Sequence, residues 1–133
     1  MKRPVYAFAV LVMLVPNVAS AVCSQANVAG KSSAYVLANS GTTGAFTVSC
    51  SLVTNNTGKV TGSCVSSLGI NGPITAGQIT LLNAAKCTFK GSFTQSGQKA
   101  TITSASLSPD KQVLVGVGTI LANGVFLLTA TKQ

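Results

Sequence analysis

The sequence predicts an all-β protein: an eight-stranded antiparallel up-and-down meander, closed or nearly closed into a small barrel and stapled by two disulfides. Three observations carry this. No segment keeps apolar residues at helical spacing over three or four turns, whereas several short runs alternate apolar and polar residues. Clusters of Gly, Asn, Ser and Pro punctuate those runs at short, regular intervals. All four cysteines follow residue 21, an even number in a chain of domain size.

The N-terminus says where the rest of the chain resides. Lys2 and Arg3 precede an apolar run from Val5 to Val15, Pro16 interrupts it, and Ala19-Ser20-Ala21 has the small-residue cleavage pattern. This is the layout of a secretory signal peptide, and the run falls short of the ~20 residues that a spanning helix needs. Residues 1–21 are therefore expected to be a removed leader. Residues 22–133 are expected to form a single all-β domain, exported to a periplasmic, cell-surface or extracellular location. Cys23 is a poor lipid-attachment site: Val22 before it is not small, and Ser20 stands where a lipoprotein leader usually has Leu.

The strands follow in order. The first, 34–39, ends at the turn Gly41-Thr42-Thr43-Gly44. The second, 45–54, places Phe46, Val48, Cys50 and Leu52 on one face and Thr47, Ser49 and Ser51 on the other. Asn55-Asn56-Thr57-Gly58 turns the chain into 59–68, and Gly69 to Pro73 turns it into 74–82. After Asn83-Ala84-Ala85, the strand 86–95 sets Cys87, Phe89, Gly91 and Phe93 against Lys86, Thr88, Lys90 and Ser92. Ser96-Gly97-Gln98 leads to 99–107, and Pro109-Asp110-Lys111 to 112–121. There, Gly116 and Gly118 suit a bend or barrel corner. Ala122-Asn123-Gly124 leads to 125–132.

Turns this short force sequential antiparallel neighbours. Eight such strands close into a barrel, or split into a two-sheet sandwich as the alternative. Hairpin-only connectivity resembles the lipocalin and streptavidin architectures. The resemblance stops at the fold, since the chain has neither a G-x-W motif nor any tryptophan.

The hairpin at Asn55–Lys59 also predicts the disulfides. A type I turn followed by Gly58 in a bulge pairs Asn55 with Lys59, so opposed residues have numbers summing to 114, and Cys50 faces Cys64. Cys23 then bonds Cys87 by elimination. Zinc is disfavoured by the absence of histidine and of any C-x-x-C spacing.

Composition excludes most chemistry. Residues 22–133 contain no histidine, no arginine and a single carboxylate side chain, Asp110. The acid/base pair of a glycosidase, Ser-His-Asp and Cys-His sets, and calcium- or magnesium-binding carboxylates are therefore absent. Gly116-Val117-Gly118 is a lone G-x-G with no helix after it and carries no nucleotide site. Asn55-Asn56-Thr57 matches a glycosylation sequon without other support. No catalytic residue, cofactor or metal is expected. Nucleic acid is disfavoured because Phe46, Phe89, Phe93 and Phe126 all read as core, leaving only Tyr35 for base stacking.

What remains is charge. Seven lysines against Asp110 leave residues 22–133 at about +6, which favours anionic partners such as lipopolysaccharide, an acidic glycan or a phospholipid surface. Alternation of the meander places the 55–58, 83–85 and 109–111 turns at one end, here end A, and the 41–44, 69–73, 96–98 and 122–124 turns at end B. Lys31, Lys59, Lys86, Lys111 and Lys132 then cluster at end A, Lys90 lies ~13 Å down a strand, and only Lys99 belongs to end B.

The expected function is thus an exported, non-catalytic binding protein. Its basic rim would receive an anionic or amphipathic ligand or surface. One alternative is a structural or self-assembling surface or matrix protein, associating through the 113–128 hairpin. Val113-Leu114-Val115 and Val125-Phe126-Leu127-Leu128 are apolar on both phases, so that hairpin is expected to be covered on both faces, by the core and by a partner or the N-terminal segment. A small outer-membrane β-barrel is the lesser alternative, opposed by short strands with a Thr, Ser and Lys outer phase.

Overall fold

The computed structural model describes residues 22–133, and the leader assigned to residues 1–21 lies outside them. A 3-10 turn at Gln25–Val28 precedes eight strands: β1 (Gly30–Ser40), β2 (Gly44–Thr54), β3 (Val60–Ser66), β4 (Asn71–Asn83), β5 (Thr88–Gln95), β6 (Gln98–Leu107), β7 (Val113–Ile120) and β8 (Gly124–Lys132). Each pairs with the next, and β8 returns antiparallel to β1, so the sheet is a closed barrel rather than a sandwich. All eight predicted strands are present. β1 begins at Gly30 rather than 34, because Ser32 and Ser33 pair on both sides, with Leu52 and Ser51 and with Lys132 and Thr131.

The β2–β3 hairpin has the predicted register. Its paired residues include Val48 with Ser66, Cys50 with Cys64 and Thr54 with Val60. The turn is made as its sequence requires: the Gly58 N–H donates to Asn55 O, the Asn55 N–H donates to Lys59 O, and the Asn55 Oδ1 accepts from the Thr57 and Lys59 N–H groups. Gly58 has φ +89° and sits under Ile79 O, where a Cβ would stand 1.9 Å from that oxygen. Cys50 is bonded to Cys64 across a Cα–Cα distance of 4.1 Å, and Cys23 to Cys87 across 5.2 Å.

The barrel interior is filled by one side-chain phase of each strand. Val36, Phe46, Val48, Cys64, Phe89, Ile102, Leu114, Phe126 and Leu128 are all buried, and Phe93 meets Phe126 edge to face with ring centroids 6.3 Å apart. Two strands change phase. In β4, Thr75 and Ala76 are both exposed, so burial passes from Ile74 to Ile79. In β6, Thr103 and Ser104 are both exposed, so burial passes from Ile102 to Ala105. Both shifts are β-bulges, the device by which a small barrel turns its corners. Gly118 lies opposite the second bulge, and a Cβ there would stand 2.0 Å from Thr101 O and 2.6 Å from the Phe126 ring. Its role is close approach, consistent with the predicted corner.

The β3–β4 seam has the shortest ladder, with only Ser63–Pro73, Cys64–Gly72 and Val65–Asn71 paired within it. Gln95 reaches across from β5 and donates from Nε2 to Cys64 O and Gly72 O at 3.0 and 3.1 Å. The N-terminal segment does not cover the outer face of the β7–β8 hairpin: it lies on β4, and within one chain Val115, Val117, Val125 and Leu127 are all exposed. A closed barrel gives each strand a single inward face, and no second layer packs on the outside of these strands among the described residues.

Candidate functional site

End A is assembled from six pieces of chain: the start of β1, the β2–β3 hairpin, the β4–β5 and β6–β7 turns, the end of β8 and the N-terminal segment. Each is fixed by local bonds. The N-terminal segment lies on β4, where the Gln25 Nε2 donates to Ile79 O at 2.7 Å and the Gln25 Oε1 accepts from the Leu81 N–H at 2.8 Å. The Cys23 N–H donates to Ala84 O, adding to the Cys23–Cys87 bond. In the β4–β5 turn the Lys86 N–H donates to Asn83 Oδ1 at 3.0 Å. In the β6–β7 turn Asp110 Oδ1 accepts from the Ser108 hydroxyl at 2.5 Å and from the Gln112 N–H at 3.1 Å. The Ser108 hydroxyl, with the Gln112 N–H behind it, holds the Asp110 carboxyl below the usual carboxylate range.

The predicted lysines fall around this ring. Lys31, Lys111 and Lys132 are neighbours in the backbone: the Lys132 N–H donates to Gln112 O at 2.9 Å, and the Gln133 N–H donates to Lys31 O at 3.0 Å. The Lys111 Nζ donates to Cys87 Sγ at 3.3 Å, which brings it beside the turn carrying Lys86. Lys59 stands at the hairpin on the other flank, bridged to Gln78. Lys31, Lys59 and Lys86 are exposed, whereas Lys111 and Lys132 are half-buried. Lys90 is exposed on the outer wall of β5, below the rim. Lys99 begins β6 at the far end.

Two details were not drawn from the sequence. Asp110 shares the rim with the lysines, so end A is not uniformly basic. Lys132 also differs from its neighbours, because it continues the inward phase of Phe126, Leu128 and Ala130 and lines the interior. The phase of β8 held that signal.

Behind the rim lies a void of about 50 Å3, lined by Val28, Leu107, Leu114 and Leu128, with Gln112 and Lys132 toward its mouth. A second void of about 60 Å3 lies toward end B, between Phe46, Val48, Leu68 and Ile120. Val36 and Phe93 border both voids and separate them. Small-molecule sites usually measure ~300–1,000 Å3. Each void is several-fold smaller, so the barrel as folded has no room for a long apolar tail. What end A offers chemically is five lysines and one carboxylate, Asp110, from separate turns and strand ends around a nearly filled core. No protein-family model, curated protein or solved structure matches this chain.

Proposed function

We propose that the chain is an exported, non-catalytic binding protein whose basic rim at end A takes an anionic group presented by a surface or polymer, such as a lipid phosphate, a lipopolysaccharide phosphate or an acidic glycan. The observation that carries this is the convergence of five lysines from five separate turns and strand ends, with the Lys132 N–H bonded to the O of Gln112 beside Lys111, and the Gln133 N–H to the O of Lys31. Lysine placed only for solubility has no reason to avoid end B. Two disulfides suit the oxidising location that the leader implies.

The ligand meets the rim and not the interior, because the void behind Lys132 is about 50 Å3. A phosphate-bearing headgroup is therefore bound equally well with or without a long acyl chain. A spanning outer-membrane barrel is the weaker reading: Ser49, Ser51, Thr61, Ser63 and Lys90 face outward on β2, β3 and β5, where an apolar belt would have to continue.

The test is retention on a sulfated polysaccharide matrix at 50 and 300 mM salt. Retention should fall steeply with salt, because each ammonium is screened beyond ~8–10 Å at physiological ionic strength. The combined variant Lys59→Gln, Lys86→Gln, Lys132→Gln should lose binding, while Lys99→Gln should keep it. The two ends are a strand length apart, roughly 25–30 Å. Equal losses from Lys99→Gln and from the rim variant would reduce the pattern to diffuse surface charge.

A further inference from the structure

Barrel closure creates a surface that neither hairpin possesses alone. β8 pairs with β7 on one side and with β1 on the other. On the outer face Leu127 lies between Leu37 and Val117, its Cα partners in the two ladders. One step toward end B, Val125 lies between Asn39 and Thr119; one step toward end A, Thr129 lies between Tyr35 and Val115. Six of the nine places in this three-by-three grid are large apolar side chains, and their exposures run from 45% for Val115 to 61% for Val125. The other three are uncharged. A shallow groove runs over the grid between Leu37, Val117, Val125 and Leu127.

We propose that this β1–β8–β7 face is the interface of a homodimer, two copies of the chain meeting grid to grid about a two-fold axis near Leu127. Area and charge both select the second copy as occupant. Six large apolar side chains, each about half exposed, present on the order of 500 Å2 of apolar surface, at the upper end of what a monomer leaves open. Two such faces with their polar members and rim bury on the order of 1,200 Å2, the lower limit for a specific interface.

Charge points the same way. Two copies at about +6 repel wherever their lysines approach, and the grid contains none of the seven. Lys90 lies on β5, across the closed barrel from β1, Lys99 lies on β6 one strand outside the grid at its end B side, and Lys31 and Lys132 stop at the end A margin. The grid is thus the part of the wall where like-charged copies can touch. An anionic partner would find nothing there to pair with, and isologous pairing needs only one self-complementary patch.

A small interface between like-charged copies is expected to be weak, so the experiment is sedimentation velocity on residues 22–133 from 1 to 200 μM. A reversible monomer–dimer equilibrium is expected in the micromolar range. It should strengthen as salt rises from 50 to 500 mM, because screening relieves the repulsion between copies. This is the opposite of the salt response of rim binding, so failure of either reading is distinguishable from failure of the other. Leu127→Lys should give a monomer throughout the range. Leu127→Thr, which keeps a strand-forming residue, should weaken association at least tenfold and guards against misfolding of the lysine variant. Val65→Lys, at an exposed apolar position on β3 outside the grid, should dimerise as the parent does. A parent chain that is monomeric at 200 μM would overturn the proposal, as would dimers that persist in both Leu127 variants. A monomer that instead binds neutral phosphatidylcholine vesicles through Leu127 would assign the face to lipid and also overturn it.

Discussion

At the scale of single residues, glycines and cysteines set the local limits. Gly118 and Gly41 are both glycines in a β-protein, yet they should respond differently to the same change. A Cβ at Gly118 would stand 2.0 Å from Thr101 O and press on the Phe126 ring, whereas at Gly41 nothing lies within 4 Å. Gly118→Ala is therefore expected to destabilise by ~1–3 kcal/mol through overpacking, and Gly41→Ala to stay within ~0.5 kcal/mol of the parent. Urea unfolding of both variants checks this. Replacing Cys50 and Cys64 together by alanine frees a short loop in the unfolded chain, with an expected cost of ~2–4 kcal/mol. The same measurement should show a lower midpoint. The Cys50–Cys64 pairing was legible in the sequence because the two residues flank a hairpin whose turn chemistry sets the register. The packing reason for Gly118 was not, because Thr101 and Phe126 reach it from two other strands.

At the scale of elements, the N-terminal segment and the β3–β4 seam are the features that alternation could not describe. The segment has no strand partner of its own and is held to end A by Gln25, the Cys23 N–H and the Cys23–Cys87 bond. Gln25→Ala leaves the Leu81 N–H without its acceptor and removes the donor to Ile79 O. The expected cost is ~1–2 kcal/mol, with amide exchange at Leu81 accelerated at least tenfold and exchange in the β7–β8 ladder unchanged. Hydrogen-exchange mass spectrometry resolves the two regions. Equal acceleration in both would mean that Gln25 acts on global stability rather than on the segment. The strand count and order followed from turn spacing alone. The bulges at Thr75-Ala76 and Thr103-Ser104 did not, since pairs of small or polar neighbours also occur in unbulged strands, where one of the two faces inward.

At the scale of the whole molecule, sparse ionisation has a direct consequence. Residues 22–133 have no side chain whose ordinary pKa lies between about 5 and 8, because histidine is absent and Asp110 is the only acid. The thermal midpoint should therefore be flat from pH 5 to pH 8, with only the α-amino group titrating. Asp110 has a lowered pKa in the folded state, from the Ser108 hydroxyl and then the Gln112 N–H. Its contribution is present above the unfolded carboxylate range and is lost as the pH falls through its lowered folded value. A small drop in midpoint confined to acid pH, abolished in Asp110→Asn, is the expected result of calorimetry at a series of pH values. A midpoint that moved by several degrees between pH 5 and 8 would contradict the assignment.

The sequence by itself determined the elements and their order. Alternation and turn residues are short-range signals, and a meander joined by tight turns leaves each strand one obvious neighbour. The same reasoning brought Cys50 opposite Cys64 and assigned five lysines to one end. Only the tertiary structure decided what depends on residues far apart in the chain: that β8 closes on β1, that the bulges switch the inward phase, that the space behind Lys132 shrinks to about 50 Å3, and that Tyr35 and Leu37 join the outer face of the last hairpin. The physical reason is that closure pairs the first strand with the last. Residues about ninety positions apart, such as Leu37 and Leu127, then share one surface that no local pattern announces.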